Sequence, residues 1–282
     1  MNSVFEGKVA VVTGAGGTLC SEIAVHLAGQ GAKVALVGRT AAKLSGVAEK
    51  IAALGGVCRI APGDVTDEAA MKEIAATLLA EWGPCRLLVN GAGGNQPGAM
   101  TALSSFEPGE LEPGNPAAGT GFFGLDSGIF SSVLLINTLG TMVPCRVFGA
   151  QMAEAGGGAI LNFASMNTYR PLSRVPAYAM SKAAVANFTQ WLAAYLAPAN
   201  IRVNAIAPGF FINERSVKFL GSPATGLTPR GENVMHHTPQ KRFGEAPDLL
   251  GCVDWLLDDG KSAFVTGITV PIDGGFLSTP GV

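Results

Sequence analysis

The chain has 282 residues, of which 48% are hydrophobic and 14% are charged, and its formal net charge is −2 at pH 7. This length and apolar content predict one large α/β domain with a well-buried sheet rather than two small domains. The small net charge argues against nucleic acids and anionic membranes as partners, and no run of about eighteen apolar residues predicts a membrane span.

The cysteines and histidines predict neither disulfide bonds nor a metal site. The five cysteines are scattered and form no C-x-x-C pair, which is typical of reduced, buried thiols in a cytoplasmic protein. The three histidines do not have the spacing of metal ligands. Residues 1–8 also lack the apolar core of a signal sequence. We therefore expect a cytoplasmic protein that holds no metal.

The beginning of the chain predicts a dinucleotide-binding unit. Residues 8–13 are a β-branched run typical of a buried parallel strand. A glycine-rich turn follows at 14–20, then a helical pattern to residue 30 and a second strand at 33–37. Glycines let the backbone approach a pyrophosphate, and the helix N-terminus favours its negative charge. The predicted cofactor contacts in this unit are Gly14, Gly16, Gly17, Thr18 and Leu19.

The end of the second strand bears on the choice between NAD and NADP. An acidic residue there would bind the ribose 2′-hydroxyl of NAD, but this protein has Arg39, which can pair with the 2′-phosphate of NADP. The sequence therefore favours NADP. An arginine that only covers the face of the adenine would allow either cofactor.

Two further strands, ending near residue 61 and at 86–89, extend the predicted cofactor site. After the first of them, Asp64 could accept a hydrogen bond from the adenine amino group, with Val65 beside it. The second leads into a turn of small residues, which lets the sheet edge approach the cofactor closely. The predicted contacts in this turn are Asn90, Gly91, Ala92 and Gly93.

Residues 94–126 differ in kind from the rest of the sequence, because they are rich in glycine, proline and small polar residues. So long a loop inside a compact domain is unusual and often functional. It could cap the substrate pocket, extend over a neighbouring subunit or be disordered. From Leu87 through Cys145 there is no lysine, arginine or histidine, so this segment cannot itself supply a cation for an acidic substrate.

The centre of the sequence carries the predicted chemistry. In a helix over 177–197, Tyr178 and Lys182 lie one turn apart on the same face. A nearby lysine cation lowers a tyrosine pKa from about 10, so the pair can act as general acid in reduction and general base in oxidation. Ser165, after a strand at 159–164, could hold the substrate oxygen. Alone, however, Tyr-x-x-x-Lys is also an ordinary helix pair.

The remaining elements complete an α/β pattern. A helix over 127–154 contains Asn137, which is unfavourable mid-helix and lies either on the surface or at a kink that holds a water near the lysine. A strand at 201–206 precedes an irregular segment, 210–243, which we interpret as a mobile lid over nicotinamide and substrate. We predict a Rossmann-type, doubly wound parallel sheet of about seven strands with helices on both faces, in a single domain over 1–282.

These motifs together resemble the short-chain dehydrogenase/reductase family over nearly the whole length of the protein. The matching features, in order, are Thr13-Gly14 with Cys20, Asp64-Val65, Asn90-Gly91-Ala92-Gly93, Asn137, Ser165, Tyr178-x-x-x-Lys182 and Pro208-Gly209. The resemblance implies an NAD(P)-dependent oxidoreductase acting on a small molecule. It also implies a homo-oligomer, either a tetramer or a dimer.

The same resemblance implies a role for each central residue. Tyr178 is the proton donor and acceptor, and Ser165 positions the carbonyl. Lys182 binds the nicotinamide ribose and lowers the tyrosine pKa, so both Tyr178 and Lys182 also contact the cofactor. Asn137 supports a proton-relay water, and Asn90 helps to hold the central strand and the cofactor. Further implied cofactor contacts are Pro208 and Gly209.

The sequence departs from the family pattern in two places. The usual turn, Thr-Gly-x-x-x-Gly-x-Gly, has Thr18 and Cys20 at its last two glycine positions, which puts the tightness of cofactor binding in question. The stretch between Asn90 and Asn137 is also longer than is usual for the family.

The extra length between Asn90 and Asn137 narrows the resemblance to one subgroup of the family. With segments such as Ser165-Met-Asn-Thr-Tyr-Arg170 and Leu227-Thr-Pro-Arg230, it is similar to the D-mannonate oxidoreductases (fructuronate reductases) of this family. This implies interconversion of D-fructuronate and D-mannonate. The predicted substrate-binding residues are Asn95, Asn167 and Arg170. A neutral polyol or ketose, a 3-oxoacyl thioester, and a dinucleotide-sensing protein without catalysis are the alternatives.

A sugar acid brings a carboxylate, whose natural partner is an arginine. Between the predicted catalytic serine and tyrosine lie Arg170 and Arg174. We expect Arg170 or a cation of the lid to bind the carboxylate, although each arginine could instead make structural or subunit contacts. The cations of the lid are Arg215, Arg230, His237, Lys241 and Arg242.

Overall fold

Seven parallel strands form the centre of the protein, which a computed structural model describes over residues 4–222 and 224–278, except for the side chains of residues 214 and 215. A separate antiparallel pair of two-residue strands lies later in the sequence. In order along the sequence the strands are β1 (Val9–Thr13), β2 (Lys33–Gly38), β3 (Val57–Pro62), β4 (Cys85–Asn90), β5 (Gly158–Phe163), β6 (Ile201–Pro208), the pair β7 (Gly221–Ser222) and β8 (Gly226–Leu227), and β9 (Thr269–Ile272).

The order of the strands creates a crevice at one edge of the sheet. That order is β3-β2-β1-β4-β5-β6-β9, and all neighbours are parallel. The direction of winding reverses between β1 and β4, and in such sheets ligands bind outside the carboxyl ends of the strands at that point. The turns that the sequence analysis assigned to the cofactor follow β1 and β4. The predicted Rossmann-type fold is therefore confirmed.

Helices cover both faces of the sheet, so β1, β5 and β6 are buried along their whole lengths. One face packs on apolar side chains such as Ile23, Leu27 and Leu256, and the other on Met71 and Phe148. The helices are α1 (Thr18–Gly29), α2 (Ala41–Ala53), α3 (Glu68–Trp82), α4 (Ser127–Glu154), α5 (Pro176–Leu196), α6 (Glu214–Leu220), α7 (Pro229–His237), α8 (Leu250–Leu257) and α9 (Asp259–Ser262).

Helix α4 is long and apolar enough, by length and composition, to cross a bilayer. Its residues Val143, Phe148 and Met152 are buried in the cluster that packs against the sheet. The apolar character of α4 is thus that of a core helix in an α/β fold, which buries one side against strands and a neighbouring helix.

Two segments lie outside the regular β–α alternation. Residues 94–126 contain only short 3₁₀ turns, at Pro97–Ala99, Pro108–Leu111 and Phe122–Gly124. Residues 210–243 contain α6, the β7–β8 pair and α7. The sequence pattern did not predict these two helices, because seven and nine residues are too few to show a clear helical period.

Candidate active site

Ser165, Tyr178 and Lys182 meet where β5 ends and α5 begins. Ser165 follows β5, while Tyr178 and Lys182 lie in the first turns of α5. The Ser165 and Tyr178 hydroxyls share a hydrogen bond. Lys182 is buried, donates from Nζ to the Phe163 carbonyl at 2.6 Å, and has its Nζ 5.5 Å from the centre of the Tyr178 ring. The three side chains that the sequence analysis selected are therefore close neighbours.

Burial dominates the ionisation of this group. It raises the pKa of Tyr178, and the hydrogen bond from Ser165 opposes that rise. It also lowers the pKa of Lys182 to about 8, against a smaller opposing effect of Cys20. In the protein without cofactor the net shift of the tyrosine pKa is therefore upward, opposite to the lowered value expected from the spacing, because burial is its largest cause. The sequence shows the spacing of Tyr178 and Lys182, but the burial that shifts their pKa values depends on the whole fold.

Asn137 links α4 to the start of the long segment, residues 94–126. It is fully buried on α4, which excludes the surface position considered above. Its Oδ1 accepts from the Gly94 amide at 3.1 Å, and its Nδ2 donates to the carbonyls of Gly94 and Val133, both at 2.8 Å. A Cβ on Gly93 would overlap Asn137 and lie 3.8 Å from Lys182 Nζ. Asn137 thus holds the backbone beside the lysine.

The turn after β1 has the form of a phosphate cradle. Gly14 has φ +66°, and a Cβ there would lie 2.8 Å from the Ala92 amide nitrogen. Thr13 Oγ1 accepts from the amides of Gly91 and Ala92 at 3.1 and 3.2 Å, which ties this turn to the one after β4. Gly17 caps α1 without a side-chain hydrogen bond.

The first turn of α1 also contains no acidic residue, and among the described residues no side chain caps its N–H groups, which have no partner within the helix. Thr18 and Leu19 are the first residues of that helix. These features fit a dinucleotide pyrophosphate.

Arg39 and Asp64 lie together beside this cradle. Arg39 is 72% exposed, and its Nη1 is 3.9 Å from Asp64 Oδ2. Asp64 Oδ1 accepts hydrogen bonds from the Thr66 amide and hydroxyl at 2.9 and 2.7 Å. The hydrogen bond from the Thr66 amide is the main cause of the lowered pKa of the Asp64 carboxyl. Val65 is buried against α4. Since Arg39 is exposed, its guanidinium is accessible to a ligand phosphate.

The Asn90 side chain points into the protein rather than toward the crevice. Its Nδ2 donates to Asn162 Oδ1 at 3.0 Å, and Asn162 Nδ2 donates to Thr189 Oγ1 at 3.0 Å. Among the described residues, Asn90 Oδ1 is buried without a hydrogen-bond partner. These bonds join β4, β5 and α5, as expected of a residue that holds the central strand.

Pro208 and Gly209 complete the edge of the crevice at the end of β6. Pro208 is the last residue of β6, and the Gly209 amide donates to the Ile272 carbonyl at 2.9 Å. A Cβ on Gly209 would lie 2.7 Å from Asp273 Cα, so the backbones after β6 and β9 approach each other closely here.

A cavity of about 370 Å³ adjoins this edge. Phe210, the residue after Gly209, lines it, and so does Leu172, whose amide donates to Asn167 Oδ1 at 2.9 Å. The amide and Nδ2 of Asn167 both donate to Ser165 Oγ, at 3.2 and 3.3 Å. Although Ser165 and Tyr178 are not in the cavity wall, two hydrogen-bonded steps connect Ser165 to it.

The cavity wall differs from the substrate-binding set predicted from the sequence. Its described residues include Arg174 and Arg230 but none of the predicted Asn95, Asn167 and Arg170. Ser104 and Phe276 also line it, and no local signal in the sequence predicts their place there, because they reach the cavity from distant parts of the protein. The full described lining is Ser104, Leu172, Ser173, Arg174, Phe210, Pro229, Arg230, Asn233, Val234, His237 and Phe276.

Two other cations of residues 210–243 have local partners. Arg242 pairs with Asp248, and Lys241 Nζ donates to the His236 carbonyl at 2.7 Å. The side chain of Arg215 lies outside the described residues. Asn95 Oδ1 accepts from the amide of Gln96 at 3.0 Å, and Arg170 is exposed after the turn that follows Ser165.

Family models match almost the full length of the chain. One described as short chain dehydrogenase covers residues 8–110, and one described as Enoyl-(Acyl carrier protein) reductase covers residues 115–277. The chain belongs to the short-chain dehydrogenase/reductase family. It is accordingly an NAD(P)-dependent oxidoreductase, and the resemblance predicted from its motifs is confirmed.

Individual members of this family resemble the chain over most of their lengths. The uncharacterized oxidoreductase UxuB of Bacillus subtilis is 42% identical, covering 98% of this chain and 97% of that protein. The crystal structure of a protein from Haemophilus influenza, provisionally assigned as a D-mannonate oxidoreductase and holding NAD, is 38% identical with a TM-score of 0.91, covering 98% and 97%. Glucose 1-dehydrogenase of Gluconobacter oxydans is 32% identical, covering 96% and 92%.

Proposed function

We propose that this short-chain dehydrogenase/reductase interconverts a ketone and a secondary alcohol on a six-carbon sugar acid of the D-fructuronate and D-mannonate type. The observation that carries the proposal is the cavity that Leu172 and Asn167 link to Ser165. It is lined by two arginines and a histidine, and no acidic residue is among its described lining. Its volume of about 370 Å³ lies within the range of small-molecule sites. The likeness to the Haemophilus influenza structure, which is provisionally assigned as a D-mannonate oxidoreductase, supports the same substrate class.

Each protein group has a separate task in the proposed reaction. When bound, the reduced nicotinamide supplies a hydride to the carbonyl carbon. Tyr178 donates its proton to the carbonyl oxygen in reduction and accepts it back in oxidation. Ser165 holds that oxygen through its hydroxyl. Lys182 stabilises the phenolate that is left after proton transfer, and Asn137 keeps the Gly94 backbone in position beside the lysine.

We propose that the enzyme accepts both nicotinamide dinucleotides and favours NADPH. An accessible Arg39 supports this preference, since a guanidinium pairs well with a 2′-phosphate. The neighbouring Asp64 carboxylate opposes it by partly neutralising the arginine. Replacing Arg39 with alanine should reduce the ratio of kcat/KM for NADPH to kcat/KM for NADH. An unchanged ratio would show that Arg39 does not bind the 2′-phosphate.

A neutral sugar or polyol is the second candidate substrate. The cavity also presents hydroxyl and amide groups from Ser104, Ser173 and Asn233, which can bind sugar hydroxyls. Glucose 1-dehydrogenase, whose substrate is uncharged, is among the similar proteins.

Reduction of a substrate panel distinguishes these candidates. D-Fructuronate, D-fructose and a 3-oxoacyl thioester would each be assayed with NADH and NADPH by the loss of nicotinamide absorbance. We expect the highest kcat/KM for D-fructuronate. A higher value for D-fructose would favour the neutral sugar, and a higher value for the thioester would exclude both kinds of sugar substrate.

A further inference from the structure

Arg174 is held in an unusual backbone conformation by the long segment. Its φ is 71°, in the left-handed region that non-glycine residues rarely adopt. The Thr101 amide donates to the Arg174 carbonyl at 3.1 Å, and Arg174 Nε donates to Ser104 Oγ at 3.2 Å. Thr101 and Ser104 belong to the long segment, residues 94–126, which contains no lysine, arginine or histidine. These two residues therefore hold both the backbone and the side chain of Arg174, which lies outside that segment. Strained backbone of this kind is often found at functional sites.

Arg230 reaches the same cavity from the other side. It is the second residue of α7, whose start is fixed by the Thr228 side chain accepting from the Gly231 amide at 3.1 Å. Arg230 is half-buried, and its pKa is lowered first by burial and then by the positive charge of Arg174. Two guanidinium groups on separate segments thus lie close enough to repel each other.

The described side chains provide no counter-charge for this pair. Neither Arg174 nor Arg230 has a described acidic side chain within 4.0 Å, whereas Arg242 in the same lid is paired with Asp248. Bringing like charges together next to a cavity costs free energy unless an anion binds between them. A carboxylate is well suited to such a position, because guanidinium groups bind it through two parallel hydrogen bonds.

We propose that Arg174 and Arg230 form a clamp that binds the substrate carboxylate, with the long segment serving to position Arg174. This inference rests on the proposed sugar-acid function and assigns that function's specificity to named residues. The hydrogen bonds from Leu172 to Asn167 and from Asn167 to Ser165 link the cavity wall that contains the clamp to the serine that positions the carbonyl. The clamp makes the enzyme select acids over neutral sugars of the same length.

Single and double alanine variants of Arg174 and Arg230 test the clamp. We expect KM for D-fructuronate to rise about ten- to a hundredfold in each single variant, since a charged hydrogen bond is lost. The R174K and R230K variants should recover part of that loss, and S104A should show a smaller rise than R174A. KM for D-fructose and the Kd for NADH should stay unchanged. The matched control is Arg59→Ala, which removes an arginine from an ion pair with Glu81 on the edge strand β3.

Equilibrium binding separates failure of the clamp from failure of the proposed function. Calorimetric titration of D-mannonate into the enzyme–NADH complex needs no turnover, and it should show a Kd raised at least tenfold in the double variant. If the parent reduces D-fructose better than D-fructuronate, the proposed substrate is wrong, but loss of D-mannonate binding in the double variant still supports the clamp. An unchanged Kd, an equal loss of activity on acid and neutral substrates, or a parent that does not bind D-mannonate would each overturn it.

Discussion

Lys182 illustrates how strongly burial controls a single residue at this site. Its side chain is almost fully buried, its ammonium group bonds the Phe163 carbonyl, and its pKa is lowered to about 8 mainly by loss of water. In the unfolded protein the same group titrates near 10.5. Between these two values the unfolded state holds a proton that the folded state has released. Raising the pH through this window therefore favours the folded state.

A Lys182→Met variant should reveal this linkage. Below pH 8 the parent and the variant should differ by a constant free energy of unfolding. Between pH 8 and 10.5 the parent should gain on the order of 3 kcal/mol relative to the variant. Denaturant unfolding at a series of pH values measures the difference, with the exposed Lys72→Met as control. A difference that does not change with pH would contradict the lowered pKa.

The proposed reaction requires the hydroxyl of Tyr178, which donates the proton. Tyr178→Phe should lower kcat about 10²- to 10⁴-fold, because the general acid is removed. The Kd for NADH should change little, since the turns after β1 and β4 remain intact. Steady-state kinetics and fluorescence titration measure the two effects. Substantial retained turnover would show that another group supplies the proton.

At the scale of elements, the turns after β1 and β4 pack directly on each other. Cys20, at a position where the family usually has glycine, places its sulfur against Gly91, so that a Cβ on Gly91 would overlap it. Burial raises the pKa of the Cys20 thiol to about 12, which keeps it protonated and unreactive. The cysteine is thus accommodated by a glycine on the neighbouring turn, and the departure from the family pattern is compatible with the cradle.

Gly91→Ala should therefore weaken dinucleotide binding and lower the melting temperature. The double variant Cys20→Ala/Gly91→Ala should recover much of both, because the added methyl replaces the removed sulfur. Thermal unfolding with and without NADH measures the coupling of the two positions. The control is Gly46→Ala in α2, where a Cβ has open space and should stabilise the helix by about 0.5–1 kcal/mol. If the effects of the two substitutions on the melting temperature simply add, the contact between Cys20 and Gly91 does not exist.

At the scale of the molecule, α4 and α5, which pack against each other, both expose large apolar side chains. Phe188, Trp191 and Tyr195 stack along α5, and Trp191 and Tyr195 are 57% and 67% exposed. Leu135 and Leu139 are exposed on α4, which packs against α5. Large apolar side chains exposed on neighbouring helices are typical of interaction surfaces. We therefore expect this surface to lie at a subunit interface of a homo-oligomer.

Trp191→Glu should dissociate that oligomer into smaller species. A charge buried in an apolar interface is costly, so the molar mass from light scattering after size exclusion should fall below that of the parent. Leu54→Glu introduces the same charge at an exposed apolar residue of another face and should leave the mass unchanged. A parent that is already monomeric, or a variant of the same mass as the parent, would exclude this surface as the interface.

The sequence alone determined the features that depend on local spacing. The β-branched runs and glycine-rich turns specify the parallel sheet and its crevice, because strand burial and tight turns restrict residue type over a few positions. Tyr178 and Lys182 are recognisable for the same reason, since helical spacing places them on one face. The family and the oxidoreductase class follow from these short patterns taken in order.

Only the tertiary structure decided the features that depend on distant segments meeting. The direction of the Tyr178 pKa shift follows from burial by the whole fold, which the spacing to Lys182 does not encode. Arg174 and Arg230 approach each other because the segment at 94–126 holds one and α7 carries the other. No local pattern distinguishes Arg174 from Arg170, since the orientation of the arginine depends on a left-handed residue and on contacts with residues far away in the sequence.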